Sequence, residues 1–340
     1  YIDPPFDSKA DYKKKIELRG QSAMSDASAF EEKQYTDIWT NDEYLQFMYE
    51  RLILMRELLA EDGAIYLHCD YGKAHHIKCL LDEVFGPNNW LNSLVWAFQT
   101  RSSIKKTWKR THNDIFFYKK NLDPVFNWNH EMVLEPLSEN TIKKYKYEDE
   151  NGRYRLSGRN IIGSPIRSAK DVDQNWEKTH PEWVVRDYLR DGKSASDYFF
   201  IDIENQASSI RTDYPTQKPE ELLFKLLCAS TNPGDLVFDC FMGSGTTQAV
   251  AMKLGRRFLG ADINLCAIQT TTKRLLGVAD ELKQAPKELG LGSDDKPAKF
   301  YPGFEVYTVN NYDFFRNELE AKELLIEALE LQKLPGNMLW

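Results

Sequence analysis

Two stretches of the chain set carboxylates beside glycines or prolines in patterns that could do chemistry. In "VFDCFMGSGTTQAVAMKLGRRFLGADIN" a strand is predicted to end at Asp239, Gly243 and Gly245 make a turn, a helix follows, and the next strand ends at Asp262. Glycines let backbone approach a ligand closely, and an acid at the tip of the second strand can accept hydrogen bonds from both hydroxyls of a ribose. Asp262 lies 17 residues beyond the second glycine (245 to 262), near the spacing of about 20 in nucleoside-binding βαβ units. An adenosine-containing ligand is implied. Three rival readings stay open. A phosphate loop needs a Lys before its Ser/Thr, and "GSGTT" has none; a dinucleotide unit wants a third glycine. A tight strand-to-helix turn explains the glycines alone but gives Asp262 no role.

The second stretch is "YIDPPF". Tyr1 and Ile2 read as the end of a buried strand, and Pro4 and Pro5 cannot donate to a sheet ladder, so the strand stops at Asp3. Asp3 is thereby placed at a strand's carboxyl end, where open α/β sheets keep their ligands. A buried strand rarely begins two residues from a natural terminus, so the chain is expected to be a fragment whose first strand lacks its start.

Around these residues the chain alternates helix and strand. Polar residues 7–40 read as a long loop with at most short structure. From Asn41, a candidate cap, Leu45, Met48, Leu52, Met55 and Leu59 recur at helical spacing up to Gly63. "GAIYLHCD", "NSLVWAF" and "DIFFYKK" read as strands, with a helix "HHIKCLLDEVFG" between the first two. Residues 121–205 change texture, with mixed charges, scattered aromatics and no long amphipathic pattern, and read as a separate irregular module. Alternation resumes with "KPEELLFKLLCAS" as a helix and runs to about Gly277; a polar linker, an extended "FEVYTV" and a last helical run from Arg316 follow.

Bulk properties bound the class. At 340 residues, with 42% hydrophobic and 13% aromatic content, one large domain with an inserted module can bury a core. No apolar run approaches the roughly 18 residues of a membrane span. Five cysteines without a C-x-x-C pair suit reduced thiols in a cytoplasm better than disulfides or zinc. His68, His75 and His76 lack metal-ligand spacing, so no metal is expected, and His112 in "THND" is expected to organise a loop. The net charge of −8 excludes a uniformly basic coat, yet Arg101, Lys105, Lys106, Lys109 and Arg110 cluster around Trp108 with no acid among them.

"DPPF" taken with "FMGSGTT" resembles the amino-methyltransferases that use S-adenosylmethionine, in which D-P-P-[YF] is the catalytic motif and F-x-G-x-G the cofactor loop. The catalytic motif comes first here, as in the β group of DNA amino-methyltransferases. "YPTQKPEELL", "GAIYLHCD", "NSLVW" and "THNDIFFYKK" fall where that group's other motifs belong. The likeness covers most of residues 1–275 and is closest to modification subunits of type III restriction systems. It implies a Rossmann-like α/β methyltransferase fold with circularly permuted motif order: a mostly parallel twisted sheet, helices on both faces, and an inserted recognition module. The expected divisions are a catalytic half (1–120), a target-recognition insertion (121–205), a cofactor-binding half (206–277) and an extension (278–340).

The resemblance also implies roles. Asp3 accepts one hydrogen of an exocyclic amine and the Pro4 carbonyl the other, Pro5 completes the motif, and Phe6 stacks on the extruded base, a contact typically worth about 1–3 kcal/mol. Asp262 holds the ribose; Phe241, Gly243 and Gly245 form the cofactor loop; Asp239 steadies it; Thr246 and Lys218 take the methionine end. The basic run at 101–110 becomes a phosphate contact. Asp before P-P-F favours adenine N6 over cytosine N4, and methyl transfer is direct, so no cysteine nucleophile is required. DNA is the implied partner, with a homodimer and a restriction subunit as further candidates and no membrane. Cytosine-N4 methylation, a nicotinamide-dependent oxidoreductase and a non-catalytic nucleic-acid-binding remnant are the alternatives, with RNA a weaker substrate.

Overall fold

The structure is a computed structural model that describes residues 1–5, 14–18, 21–25, 41–100, 105–203, 212, 214, 216–284 and 302–309. Within the expected long loop, β1 (Lys14–Leu18) and β2 (Gln21–Ser25) pair as an antiparallel hairpin. The central sheet runs β3 (Ala64–Cys69), β5 (His112–Lys119), β4 (Trp90–Ala97), β9 (Tyr198–Phe200). Strand β5 opposes both neighbours, whereas β4 and β9 are parallel. A second pair, β10 (Leu236–Asp239) and β11 (Arg257–Gly260), is parallel.

Residues 1–2 join the two pairings. Ile2 bridges Leu67 in parallel, its N–H donates to the Tyr66 carbonyl at 2.9 Å, and its carbonyl accepts the His68 N–H at 2.9 Å. On the other side the Tyr1 nitrogen donates to the Phe238 carbonyl at 3.3 Å. Asp3 thus follows directly on a stub wedged between β3 and β10. Because β5 is antiparallel to β3 and β4, those two strands run the same way. Asp3, Asp70 and the segment after Ala97 therefore leave the sheet at one edge.

Strands buried on both faces explain the near-continuous apolar runs. On β3 and β5, Tyr66, Ile115 and Phe117 face one core, while Ile65, Leu67, Phe116 and Tyr118 face the other. Helices α1 (Asn41–Leu58) and α2 (Ala74–Phe85) cover the second face with Met48, Leu52, Ile77 and Leu81. The first face is closed by Leu222, Leu223 and Leu226 of α5 (Glu220–Ser230) and Val250 of α6 (Thr246–Lys253). Each such aliphatic side chain contributes roughly 1.5–3 kcal/mol when fully buried. Two polar side chains admitted to this core are bonded: the Trp96 indole donates to the Ile201 carbonyl at 2.8 Å, and the Tyr66 hydroxyl meets Ser230 Oγ at 2.6 Å.

Two short helices, α3 (Glu139–Ile142) and α4 (Gln174–Thr179), fall in the stretch read as irregular. That stretch also holds a regular piece: β6 (Tyr147–Asp149), β7 (Gly152–Gly158) and β8 (Val184–Tyr188) form an antiparallel sheet over a core of Tyr154, Leu156, Val172 and Val184. Two other boundaries differ from expectation. Strand β11 stops at Gly260, so Asp262 sits two residues beyond it in a turn. Helix α7 (Leu265–Gln284) runs past Gly277, because Val278, Ala279 and Leu282 are buried and keep it docked. Residues 303–309 have no regular secondary structure, and the last expected helix lies outside the described residues.

Candidate active site

Asp3 is a largely enclosed acid at the sheet edge. Its Oδ2 accepts from Lys218 Nζ, and its Oδ1 is buried with no hydrogen-bond partner among the described residues. Burial pushes the Asp3 carboxyl up from its ordinary range, and the Lys218 ammonium pulls against that rise. Pro4 is buried and Pro5 half-buried, and no described residue donates to the Pro4 carbonyl. Phe6 lies outside the described residues.

Behind Asp3 lies His68 of β3, wholly buried. Its Nδ1 is 2.8 Å from the Tyr1 hydroxyl and 3.7 Å from Asp3 Oδ1; its Nε2 is 2.9 Å from Asn113 Nδ2. Burial, with the nearby Lys218 charge, drives the imidazole well below its ordinary pKa, so it is neutral. The Trp96 ring packs edge-on to it, centroids 5.3 Å apart. Asn113 and Tyr1 escape sequence reasoning; the one signal for this layer is a histidine inside an otherwise apolar strand.

The glycine turn is built by its two acids. Asp239 Oδ1 accepts the Phe241 N–H at 3.0 Å and its Oδ2 the Thr247 hydroxyl at 2.6 Å. Asp262 Oδ2 accepts the Gly243 N–H at 2.9 Å and Oδ1 the Asn264 N–H at 2.9 Å. Gly243 and Gly245 have φ of 49° and 70°, the left-handed region open to glycine. A Cβ on Gly245 would lie 2.5 Å from Thr271 Cγ2 of α7, so this glycine serves helix packing. A Cβ on Gly243 would come within 3.2 Å of the Tyr214 ring.

The expected cofactor residues divide into two groups. Phe241 is half-buried and tilts against Phe47, centroids 6.4 Å apart. Thr246 is buried; its hydroxyl reaches the Lys218 carbonyl at 3.4 Å and accepts from Arg274 Nη1 at 2.9 Å. Arg274 and Lys253 both pair with the buried Glu220, at 2.8 and 2.7 Å. Lys218, expected beside Thr246 at the methionine end, instead sends its ammonium to Asp3. Its backbone stays against Thr246, so one residue links the D-P-P-F motif to the glycine turn.

Of the basic run, Arg101 lies outside the described residues, while Lys105, Lys106, Lys109 and Arg110 are exposed. Arg110 stacks its guanidinium 4.2 Å over the Tyr71 ring and donates to the Tyr71 hydroxyl. This ties the segment to the loop after β3, at the edge that carries Asp3. Trp108 is 92% exposed within it. Cys69 is buried and Cys240 half-buried, packed against the α1/α2 face; burial pushes the Cys240 thiol up to about 12. Burial pushes the Cys69 thiol up as well.

Known proteins resemble this chain over most of its length. A profile of the N6/N4 DNA methylase family matches residues 1–273. The type II methyltransferase M.EcaI of Enterobacter cloacae is 30% identical over 98% of this chain and 76% of its own length. DNA adenine methyltransferase YhdJ of Escherichia coli K12 is 52% identical over 70% of this chain and 69% of its own. Among solved structures, M1.HpyAVI in complex with SAM aligns over 74% of this chain and 96% of its own, at 20% identity and a TM-score of 0.42. The nicotinamide-dependent oxidoreductase considered from the glycine turn is thereby set aside, because the match spans the D-P-P-F motif and the turn together. The chain belongs to the N6/N4 DNA methylase family.

Proposed function

We propose that this DNA methyltransferase methylates the N6 amino group of adenine, using S-adenosylmethionine, on a nucleotide turned out of the duplex. The observation that carries the reading is the buried, unpartnered Oδ1 of Asp3 at a strand's carboxyl end. A carboxylate oxygen removed from water without a donor is costly. An exocyclic amine supplies the missing hydrogen, and the Pro4 carbonyl is available for the other. With both hydrogens held, the nitrogen lone pair is drawn out of conjugation and aligned for attack, so catalysis comes from orientation as well as activation. The aspartate in D-P-P-F and the kinship with an adenine enzyme favour adenine over cytosine.

The residues around the turn suit S-adenosylmethionine, which supplies the transferable methyl group when bound. Left-handed, half-buried Gly243 lets backbone approach a ligand closely, and Asp262, half-buried beside it, is the acid for the ribose hydroxyls. Phe241 offers an apolar wall. Lys105, Lys106, Lys109 and Arg110 contact phosphates, and the β6-β7-β8 module serves target recognition. Extrusion of the nucleotide costs a few kcal/mol; backbone contacts from the basic segment offset part of it. A cytoplasmic setting, a homodimer and a restriction subunit accord with this reading; no described helix is long and apolar enough to cross a membrane.

The test is transfer of labelled methyl from S-adenosylmethionine to genomic DNA and to total RNA, followed by nucleoside analysis. Label in N6-methyladenine from DNA is expected, with loss of about 10²-fold or more in Asp3→Ala, the scale for removing one preorganised polar contact to a reacting group. Label in N4-methylcytosine, label in RNA alone, or an unaffected Asp3→Ala would refute the reading.

A further inference from the structure

Lys218 and Asp3 are 215 residues apart in sequence, yet their side chains meet in a site that leaves them 13% and 15% exposed. An ammonium and a carboxylate taken out of water together persist only in close contact. No other described group competes for this oxygen. His68, on β3, faces Oδ1 at 3.7 Å and is neutral; the Tyr1 phenol is turned to His68 Nδ1; Cys69 and Asp239, on the flanking strands, bring no positive charge. Thr216 takes a second Lys218 hydrogen through its carbonyl at 3.3 Å, and Pro219 stiffens the chain just before α5. The lysine is therefore held on one carboxylate oxygen while the other stays open.

We propose that Lys218 is a positioning residue for the catalytic carboxylate, fixing Asp3 through Oδ2 so that Oδ1 receives the target amine, and is not a ligand of the cofactor's methionine end. This inference rests on the methyltransferase reading. It divides the carboxylate: one oxygen belongs to the protein in every state, the other to the substrate. The Lys218 ammonium also opposes the rise that burial imposes on the Asp3 carboxyl, favouring the ionised form that accepts a hydrogen.

The test uses the full chain with Lys218→Gln, Lys218→Arg and Lys218→Met, and Asp3→Asn alone and combined with Lys218→Met. In Lys218→Gln the burial of Asp3 is unopposed, so the acid limb of the kcat profile moves to higher pH, and kcat near neutrality falls about 10-fold or more. KM for S-adenosylmethionine stays within about two-fold of wild type, since uniform cofactor binding is untouched. Lys218→Arg restores the position of the limb. In thermal melting, Asp3→Asn and Lys218→Met are non-additive, the double variant melting no lower than Lys218→Met. A raised KM with an unmoved limb, or additive melting shifts, overturns the proposal. The melting cycle needs no turnover: a wild type inactive on DNA that still shows non-additivity refutes the methyltransferase reading and leaves the ion pair standing.

Discussion

Asp262 and Asp3 are both acids just past a strand end, and burial raises both carboxyls. Their hydrogen bonding differs. Asp262 spends one oxygen on the Gly243 N–H of the glycine turn and the other on the Asn264 N–H of its own loop, at 2.9 Å each, and so ties the two together. Asp3 gives one oxygen to Lys218 and leaves the other without a donor. A carboxylate with a backbone N–H on each oxygen shapes the turn and keeps lone pairs for a ligand's hydroxyls; one with an oxygen lacking any donor in a buried place needs its ligand to be satisfied. Asp239, bonded to Phe241 N–H and Thr247, falls with Asp262.

Substitutions can break or sharpen that contrast. The largest effect is expected from Asp3→Asn, which keeps shape but loses the charge: methyl transfer drops by about 10²-fold or more, and the melting temperature falls because the enclosed Lys218 ammonium loses its partner. A large melting loss with activity retained would reverse the assignment. Gly245→Ala should act on the fold instead. Its Cβ meets Thr271 at 2.5 Å, and φ is 70°, so about 1–3 kcal/mol of stability is lost by denaturant titration. Adding Thr271→Ser, which removes the clashing methyl, recovers part of it. Asp262→Ala strands the Gly243 and Asn264 N–H groups, costing about 1–3 kcal/mol, and weakens S-adenosylmethionine binding by calorimetry.

Smaller effects concern pH and salt. Since burial raises Asp3 above its ordinary value of 3.8 and the carboxylate is the form that accepts a hydrogen, activity is lost as pH falls through the raised value. The acid limb of kcat therefore lies above the usual aspartate range. A limb at or below it would mean that Asp3 is more solvated than its surroundings allow. Arg110→Ala removes one exposed cation: DNA affinity falls modestly, and the slope of log K against log salt drops by about 1. An unchanged slope would take Arg110 off the phosphate backbone.

What could be read from sequence follows the range of the interactions. The turn at 239–246 is local: its glycines, its acid and the helix behind it lie within a few residues, so composition alone specifies it. The strands were readable because burial on both faces leaves runs such as "AIYLHC" with little polar interruption. By contrast, the Lys218 contact with Asp3 spans 215 residues of sequence, and no local pattern announces it; the resemblance implies only a cofactor contact for Lys218. The packing role of Gly245 was hidden likewise, because Thr271 reaches it from α7. The β6–β7 hairpin did carry a signal: "DENG" sets Asp149 Oδ1 on the Asn151 N–H at 2.8 Å and Gly152 at φ 110°. Mixed charges around it masked the alternation of Tyr154 and Leu156.

The most direct measurement is a crystal structure of the chain with S-adenosylhomocysteine and a DNA duplex carrying the methylated site found by methylome sequencing. The account predicts an adenine out of the helix with N6 within hydrogen-bond distance of Asp3 Oδ1 and of the Pro4 carbonyl, and Lys218 still on Oδ2. An adenine left in the stack, or its amine bound away from Asp3, would contradict it.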